Sequence, residues 1–290
     1  MELKSLATSL HQSPTTKDIP RFIARENMMQ HPSKLIAIIA TERTGTNYFC
    51  DLVGKGLQLK QMWEIFHPSV PFGLTPEDIA SGCNIPIERV QKMSDIDRAS
   101  LVRKNCRGIV TYLSGHEETS LFKIFPNHLN AKQVRRQILK NQKVQKVIID
   151  RNVIDVYVSE LKAVHIQKWG HVDTSEIRVM IDFGRFKKWL QERRRWYSHA
   201  LEILQSSGQD YIYYPYSKIS SLSPEDLVHD FHSSLSSMGI EVESREGELE
   251  NLLQKQDRSK SYSEKVKNWD EFQRQADRIQ FDLKGSFLNQ

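Results

Sequence analysis

A continuous apolar run, Leu35 to Ala40, leads straight into Thr41, Glu42, Arg43, Thr44, Gly45, Thr46 and Asn47, and then into a helix-like segment. An apolar run of that length reads as a buried strand. A strand that turns through a glycine into a helix points backbone N–H groups at the start of that helix, where an anion is favoured. Gly45 permits the tight turn, Thr44, Thr46 and Asn47 add side-chain donors, and Arg43 adds a charge. Taken alone, an ordinary strand-to-helix turn would look the same.

The pattern recurs further along the chain. Val147 to Ile149 form a second apolar strand, which ends in Asp150, Arg151 and Asn152 and continues as a helix bearing Asp155 and Ser159. With a helix start near Asn152, Ser159 lies roughly 10 Å along the axis, at about 1.5 Å per residue. A long arginine, binding in bidentate fashion, and a small hydroxyl could then meet one phosphate group. The plainer alternatives are an ion pair of Arg151 with Asp150 or Asp155, and a polar Ser159 tolerated within the helix.

The rest of the chain alternates in the same way. Leu121 to Phe125 read as a short strand with Lys123 in its middle, residues 130 to 141 as helical, and Phe183 to Gln205 as a long amphipathic helix. Asp210 to Tyr216 have strand character, with Pro215 ending the strand. Ser223 followed by Pro224 has the signature of a helix start, as do Pro76 and Pro86. Alternating strands and helices predict an α/β, P-loop-like three-layer fold, with a mainly parallel central sheet flanked by helices. In such sheets ligands bind beyond the carboxyl ends of the strands, and Arg43 and Arg151 each follow a strand. Residues 1–30 read as a polar lead-in, and 31–290 as a single α/β domain closing in a basic segment from about 254 to 290.

Walker A loops need a Gly-Lys pair that this turn lacks. Instead, Thr41 to Asn47 resembles the 5′-phosphosulfate loop of sulfotransferases that use 3′-phosphoadenosine 5′-phosphosulfate (PAPS), above all the bacterial carbohydrate enzymes of the trehalose and Nod-factor type. Arg151, Asn152, Val153, Asp155 and Ser159 resemble that family's second motif, whose Arg and Ser hold the donor's 3′-phosphate. The resemblance implies that Arg43, Thr44, Gly45, Thr46, Asn47, Arg151 and Ser159 bind the donor. It covers residues 34 to 216 in order. Asn47 and Tyr48 depart from the family's usual Thr-Leu continuation, and Val153 from a frequent Pro.

The resemblance also implies a carboxylate base just after the first strand–helix unit, where Glu64 stands between Trp63 and Phe66. His67 is the alternative, with an ordinary pKa nearer neutrality, and His165 is a weaker third. Glu64 would need surroundings that raise its pKa toward the working pH. Arg43 is the first choice of cation at the leaving group and Lys123 the second. Trp169 could stack on an acceptor sugar, and the basic stretch from Lys255 to Lys267 could close over the nucleotide. No metal is expected. The partners are the nucleotide donor and a carbohydrate or glycolipid hydroxyl.

Composition bounds the remaining choices. No apolar run approaches the roughly 20 residues that span a bilayer. The start of the chain lacks a secretory pattern, and three cysteines without close pairing suit a reducing compartment, so a cytoplasmic location is expected. A net charge of +5 spread along the chain fits an anionic ligand better than nucleic acid. Clusters such as Arg193 to Arg195 read as solvated helix faces. An exposed aromatic patch would suit a homodimer. Two other classes stay open. One is a P-loop nucleotide hydrolase or kinase with Asp150 as magnesium ligand, and the other a silent nucleotide- or glycan-binding module.

Overall fold

The computed structural model describes residues 34–169, 172–244, 249 and 261–288. The polar lead-in, and residues 254–260 of the basic tail, lie outside the described residues.

Five strands form one sheet: β1 (Leu35–Ile39), β2 (Lys60–Gln61), β3 (Ser120–Ile124), β4 (Val144–Asp150) and β5 (Ile212–Pro215). Their order is β2-β3-β1-β4-β5, and every pairing is parallel. β1 is central because its residues are apolar on both faces. Leu35, Ala37 and Ile39 pack into one core, and Ile36, Ile38 and Ala40 into the other. All five β1 residues are fully buried, each large side chain worth about 1.5–3 kcal/mol relative to exposure.

Helices cover both faces. On one side α1 (Thr46–Gly56) packs Phe49 and Val53 with Leu227 and Phe231 of a helix over Pro224–Ser237. Ser223 caps that helix by accepting from the Asp226 N–H. On the other side lie α2 (Val153–Ile166) and the long α3 (Phe183–Ser206), which contributes Phe186, Trp189, Tyr197 and Leu204. Helices over Pro76–Cys83, Ile87–Gln91, Asp95–Lys104 and Cys106–Leu113 add to this side. The expected helix near 130–141 is a single α turn, Ala131–Gln133, running into a π-helix, Val134–Leu139. No helix among the described residues is long and apolar enough to cross a membrane.

Two side chains of α3 tie the carboxyl ends of β1 and β4 together. The Tyr197 hydroxyl donates to the Ile149 carbonyl at 2.8 Å and accepts from the Thr41 N–H at 3.1 Å. Trp196 Nε1 donates to the Ala40 carbonyl at 3.0 Å. The turn after β1 is therefore held at its base, next to the end of β4.

Candidate anion-binding site

The turn after β1 is built from left-handed backbone. Arg43 has φ 66° and Gly45 φ 88°. Such values cost a side-chain-bearing residue energy and suit glycine. Thr44 Oγ1 donates to the Thr41 carbonyl at 2.8 Å, closing the turn. Gly45 is the N-cap of α1 and brings no capping side chain, so the first-turn N–H groups of α1 open toward the loop. A Cβ at Gly45 would lie 2.5 Å from the Tyr216 ring.

Three of the sequence-expected residues meet beside this turn. Arg43 Nε donates to Ser159 Oγ at 2.9 Å, and its Nη1 donates to the Trp169 carbonyl. Arg151 Nη1 donates to the Arg43 carbonyl at 3.3 Å. The Arg151 guanidinium lies 4.1 Å from the centre of the Tyr216 ring, a cation–π contact. Its ion pair with Asp155 is long, 3.9 Å. Arg151 Nε is buried with no hydrogen-bond partner among the described residues. Burial, and then the Arg151 charge, lower the pKa of Arg43. Two half-buried guanidinium groups with an unmatched donor are arranged for an anion.

Asn152 explains why Arg151 and Ser159 point to the same place. Its Oδ1 accepts from the N–H groups of Ile154 and Asp155, at 3.0 and 3.2 Å, and so starts α2 there. Ser159 then lies two turns into α2, as the spacing predicted.

A second cluster lies across the turn. Lys123, only 2 % exposed, donates to Asn47 Oδ1 at 2.5 Å and to Glu64 Oε1 at 2.8 Å. Neither a sheet-edge nor a snorkelling lysine fits this, because β3 is an inner strand. His128 Nε2 lies 3.6 Å from Glu64 Oε2, while His128 Nδ1 accepts from the Phe125 N–H. Burial raises the Glu64 pKa, but the His128 hydrogen bond and the Lys123 charge outweigh it and hold the carboxyl at about 2. The surroundings thus do the reverse of what a neutral-pH base requires. His67 Nδ1 accepts from the N–H groups of Ser69 and Val70, both at 3.3 Å, which leaves the ring proton on Nε2 in the neutral form.

Several neighbours gave no signal in the sequence. Tyr216, His128 and the α3 pair Trp196 and Tyr197 come from three separate parts of the chain and meet only through the sheet order. Arg193, read as part of a solvated face, instead lies 3.3 Å from Glu160 Oε1 and 3.9 Å from Glu42 Oε2. Trp169 is 52 % exposed and meets the site through its backbone carbonyl. His165 lines a shallow surface groove with Leu161, Val164 and Met180, apart from the contacts of either cluster.

Asp150, the magnesium ligand of the hydrolase alternative, is committed elsewhere. Its carboxylate accepts from the N–H groups of Arg151 at 2.8 Å, Phe287 at 3.2 Å and Leu288 at 3.1 Å. It clamps a segment near the carboxyl terminus, and a metal would have to displace those bonds.

No protein-family model matches this chain, and no curated protein does. Among solved structures, the sulfotransferase domain from the curacin biosynthetic pathway is 11 % identical, with a TM-score of 0.42 over 87 % of this chain and 98 % of that one. Retinol dehydratase, in complex with androsterone and inactive cofactor PAP, is 15 % identical, with a TM-score of 0.38 over 86 % of this chain and 80 % of that one. Likenesses this faint carry no weight, and the fold rests on the strand order described above.

Proposed function

We propose that this chain is a sulfotransferase, moving the sulfuryl group of PAPS to a hydroxyl of a carbohydrate or glycolipid. The observation that carries the reading is the meeting of Arg43, Arg151 and Ser159 at the carboxyl ends of β1 and β4, with Arg151 Nε buried and unmatched. A nucleotide with phosphates at both its 3′ and 5′ positions suits that arrangement. The turn from Thr44 to Asn47 and the start of α1 would take the 5′-phosphosulfate, and Arg151 and Ser159 the 3′-phosphate.

Sulfuryl transfer asks for positioning and for stabilisation of the charge left on the departing phosphate. Arg43 and Lys123 supply the cations. Asn47 and Glu64 fix the Lys123 ammonium at the other side of the turn. Glu64, held at about 2, is a weak base and a strong partner for that lysine. The carbohydrate acceptor follows from the likeness of the Arg43-to-Thr46 turn to glycan-modifying enzymes. A cytoplasmic location agrees with the three free cysteines, Cys50, Cys83 and Cys106.

The test is release of 3′-phosphoadenosine 5′-phosphate (PAP) from PAPS across a panel of sugars and glycolipids. Acceptor-dependent release supports the reading. Tight PAP binding with no release on any acceptor would leave a silent nucleotide-binding module.

A further inference from the structure

The segment from Trp63 to Gly73, which follows β2, is a closed loop on a fixed base. The Met62 N–H donates to the Leu121 carbonyl at 2.8 Å and the Lys123 N–H to the Trp63 carbonyl at 2.6 Å, so its start is tied to β3. At its far end Gly73, with φ 82°, comes so close that a Cβ there would run into the Met62 carbonyl. In between, the Glu64 and Val70 carbonyls accept from the N–H groups of His67 and Phe72, both at 2.9 Å. Trp63 has φ 50°. A bulky residue rarely takes that left-handed conformation, and such strain persists where the surroundings impose it and gathers at functional sites.

Contacts lead from the donor turn outward along this loop. Lys123 Nζ meets Asn47 Oδ1 at 2.5 Å and Glu64 Oε1 at 2.8 Å, and lies 5.3 Å from the centre of the Trp63 ring. The other Glu64 oxygen faces His128 at 3.6 Å. The His128 and His67 rings are 6.1 Å apart between centres, and His67 meets Phe72 edge to face at 5.1 Å. Two donors along this path have no acceptor among the described residues. One is Trp63 Nε1; the other is His67 Nε2, which carries the neutral ring's proton because Nδ1 accepts from Ser69 and Val70. Phe72 at 45 % and Trp169 at 52 % are the large apolar rings left exposed among the described residues. Trp169 belongs to the opposite cluster, where its carbonyl accepts from Arg43.

Resting on the sulfotransferase reading, we propose that this loop is the acceptor subsite and that its occupant is a sugar ring. A sugar presents an apolar C–H face and a rim of hydroxyls, and ligand sites pair aromatic walls with a few fixed polar groups. Phe72 takes the C–H face. The Nε2–H of His67 donates to a hydroxyl on the rim, and the Trp63 N–H to a second. The sugar then lies against the Lys123–Glu64 pair, beside Asn47 of the donor turn.

The experiment compares the full-length parent with Phe72→Ala, Phe72→Tyr, His67→Ala and Trp169→Ala. PAP affinity is measured first. Acceptor KM and kcat are then taken from PAP release, with the methyl glycosides of glucose, galactose, mannose and N-acetylglucosamine as probes. Phe72→Ala and His67→Ala are each expected to raise the KM of the glycosides turned over by roughly three- to tenfold, with kcat and PAP affinity within about twofold of the parent. Phe72→Tyr should restore the parental KM, and exposure of Phe72 guards its alanine variant against misfolding. An unchanged KM in both alanine variants, or a KM that moves with Trp169→Ala and not with Phe72→Ala, overturns the proposal. PAP binding without release on any of the four glycosides overturns the sugar as occupant. Failure of the parent to bind PAP would instead bring down the sulfotransferase reading itself.

Discussion

Replacing Gly45 by alanine should damage both the fold and the anion site, and the structure sets the size of the effect. The residue has φ 88°, where a side chain costs about 1–2 kcal/mol. The new Cβ would lie 2.5 and 2.8 Å from two carbons of the Tyr216 ring. That ring is not free to yield, since the Arg151 guanidinium lies 4.1 Å from its centre. Forcing a methyl group into such a contact costs about 1–3 kcal/mol. Together the loss is about 2–5 kcal/mol, read as a fall in the urea midpoint at unchanged slope. Tyr216 should shift and take Arg151 with it, weakening PAP binding about tenfold or more. The Gly45→Ala, Tyr216→Ala double variant separates the terms. Without the ring only the backbone cost remains, so the two changes should couple by about 1–3 kcal/mol. A Gly45→Ala protein within about 0.5 kcal/mol of the parent would refute the close packing of turn and ring.

Arg151→Lys keeps the charge but loses the fork, and should weaken PAP binding by about 1.5–3 kcal/mol in calorimetry; unchanged affinity would remove Arg151 from the phosphate site. Lys123→Met removes a cation that helps hold Glu64 at about 2, so carbon-13 titration of Glu64 should show its pKa rise, and an unmoved value would contradict the pairing. Burial lifts the Asp150 carboxyl from 3.8 to about 6, against the opposing pull of Ser286 and the N–H groups of Leu288, Phe287 and Arg151. The protonated form is therefore favoured in the folded state, and its contribution is complete below about pH 4 and lost as pH rises through about 6. The change is about 3 kcal/mol, which denaturant unfolding between pH 4 and 7 would detect and Asp150→Asn should abolish.

How far the sequence could be read follows from the range of the interactions. The runs from Leu35 and from Val147 are buried on both faces, so strand, turn and helix start could all be read locally. Asn152, the cap of α2, set the Arg151–Ser159 spacing within one segment. The sheet order could not be read this way, and everything that depends on it was hidden. Arg43 reaching Ser159, Tyr216 under Arg151, and His128 beside Glu64 each join residues from different strands or their loops. Local charge runs misled for the same reason. Arg193 looks solvated from its neighbours in sequence, yet α3 turns it inward between Glu160 and Glu42. Asp150 ends a strand as a metal ligand would, but the segment that occupies its carboxylate comes from the far end of the chain.

The central claim is that the carboxyl ends of β1 and β4 hold a nucleotide phosphorylated at both 3′ and 5′ positions. Calorimetric titration with PAP, beside AMP and magnesium ATP at one fixed salt concentration, tests it most directly. The account predicts tight binding of PAP alone, lost in Arg151→Ala. Equal or stronger binding of magnesium ATP, or no binding of PAP, would contradict it.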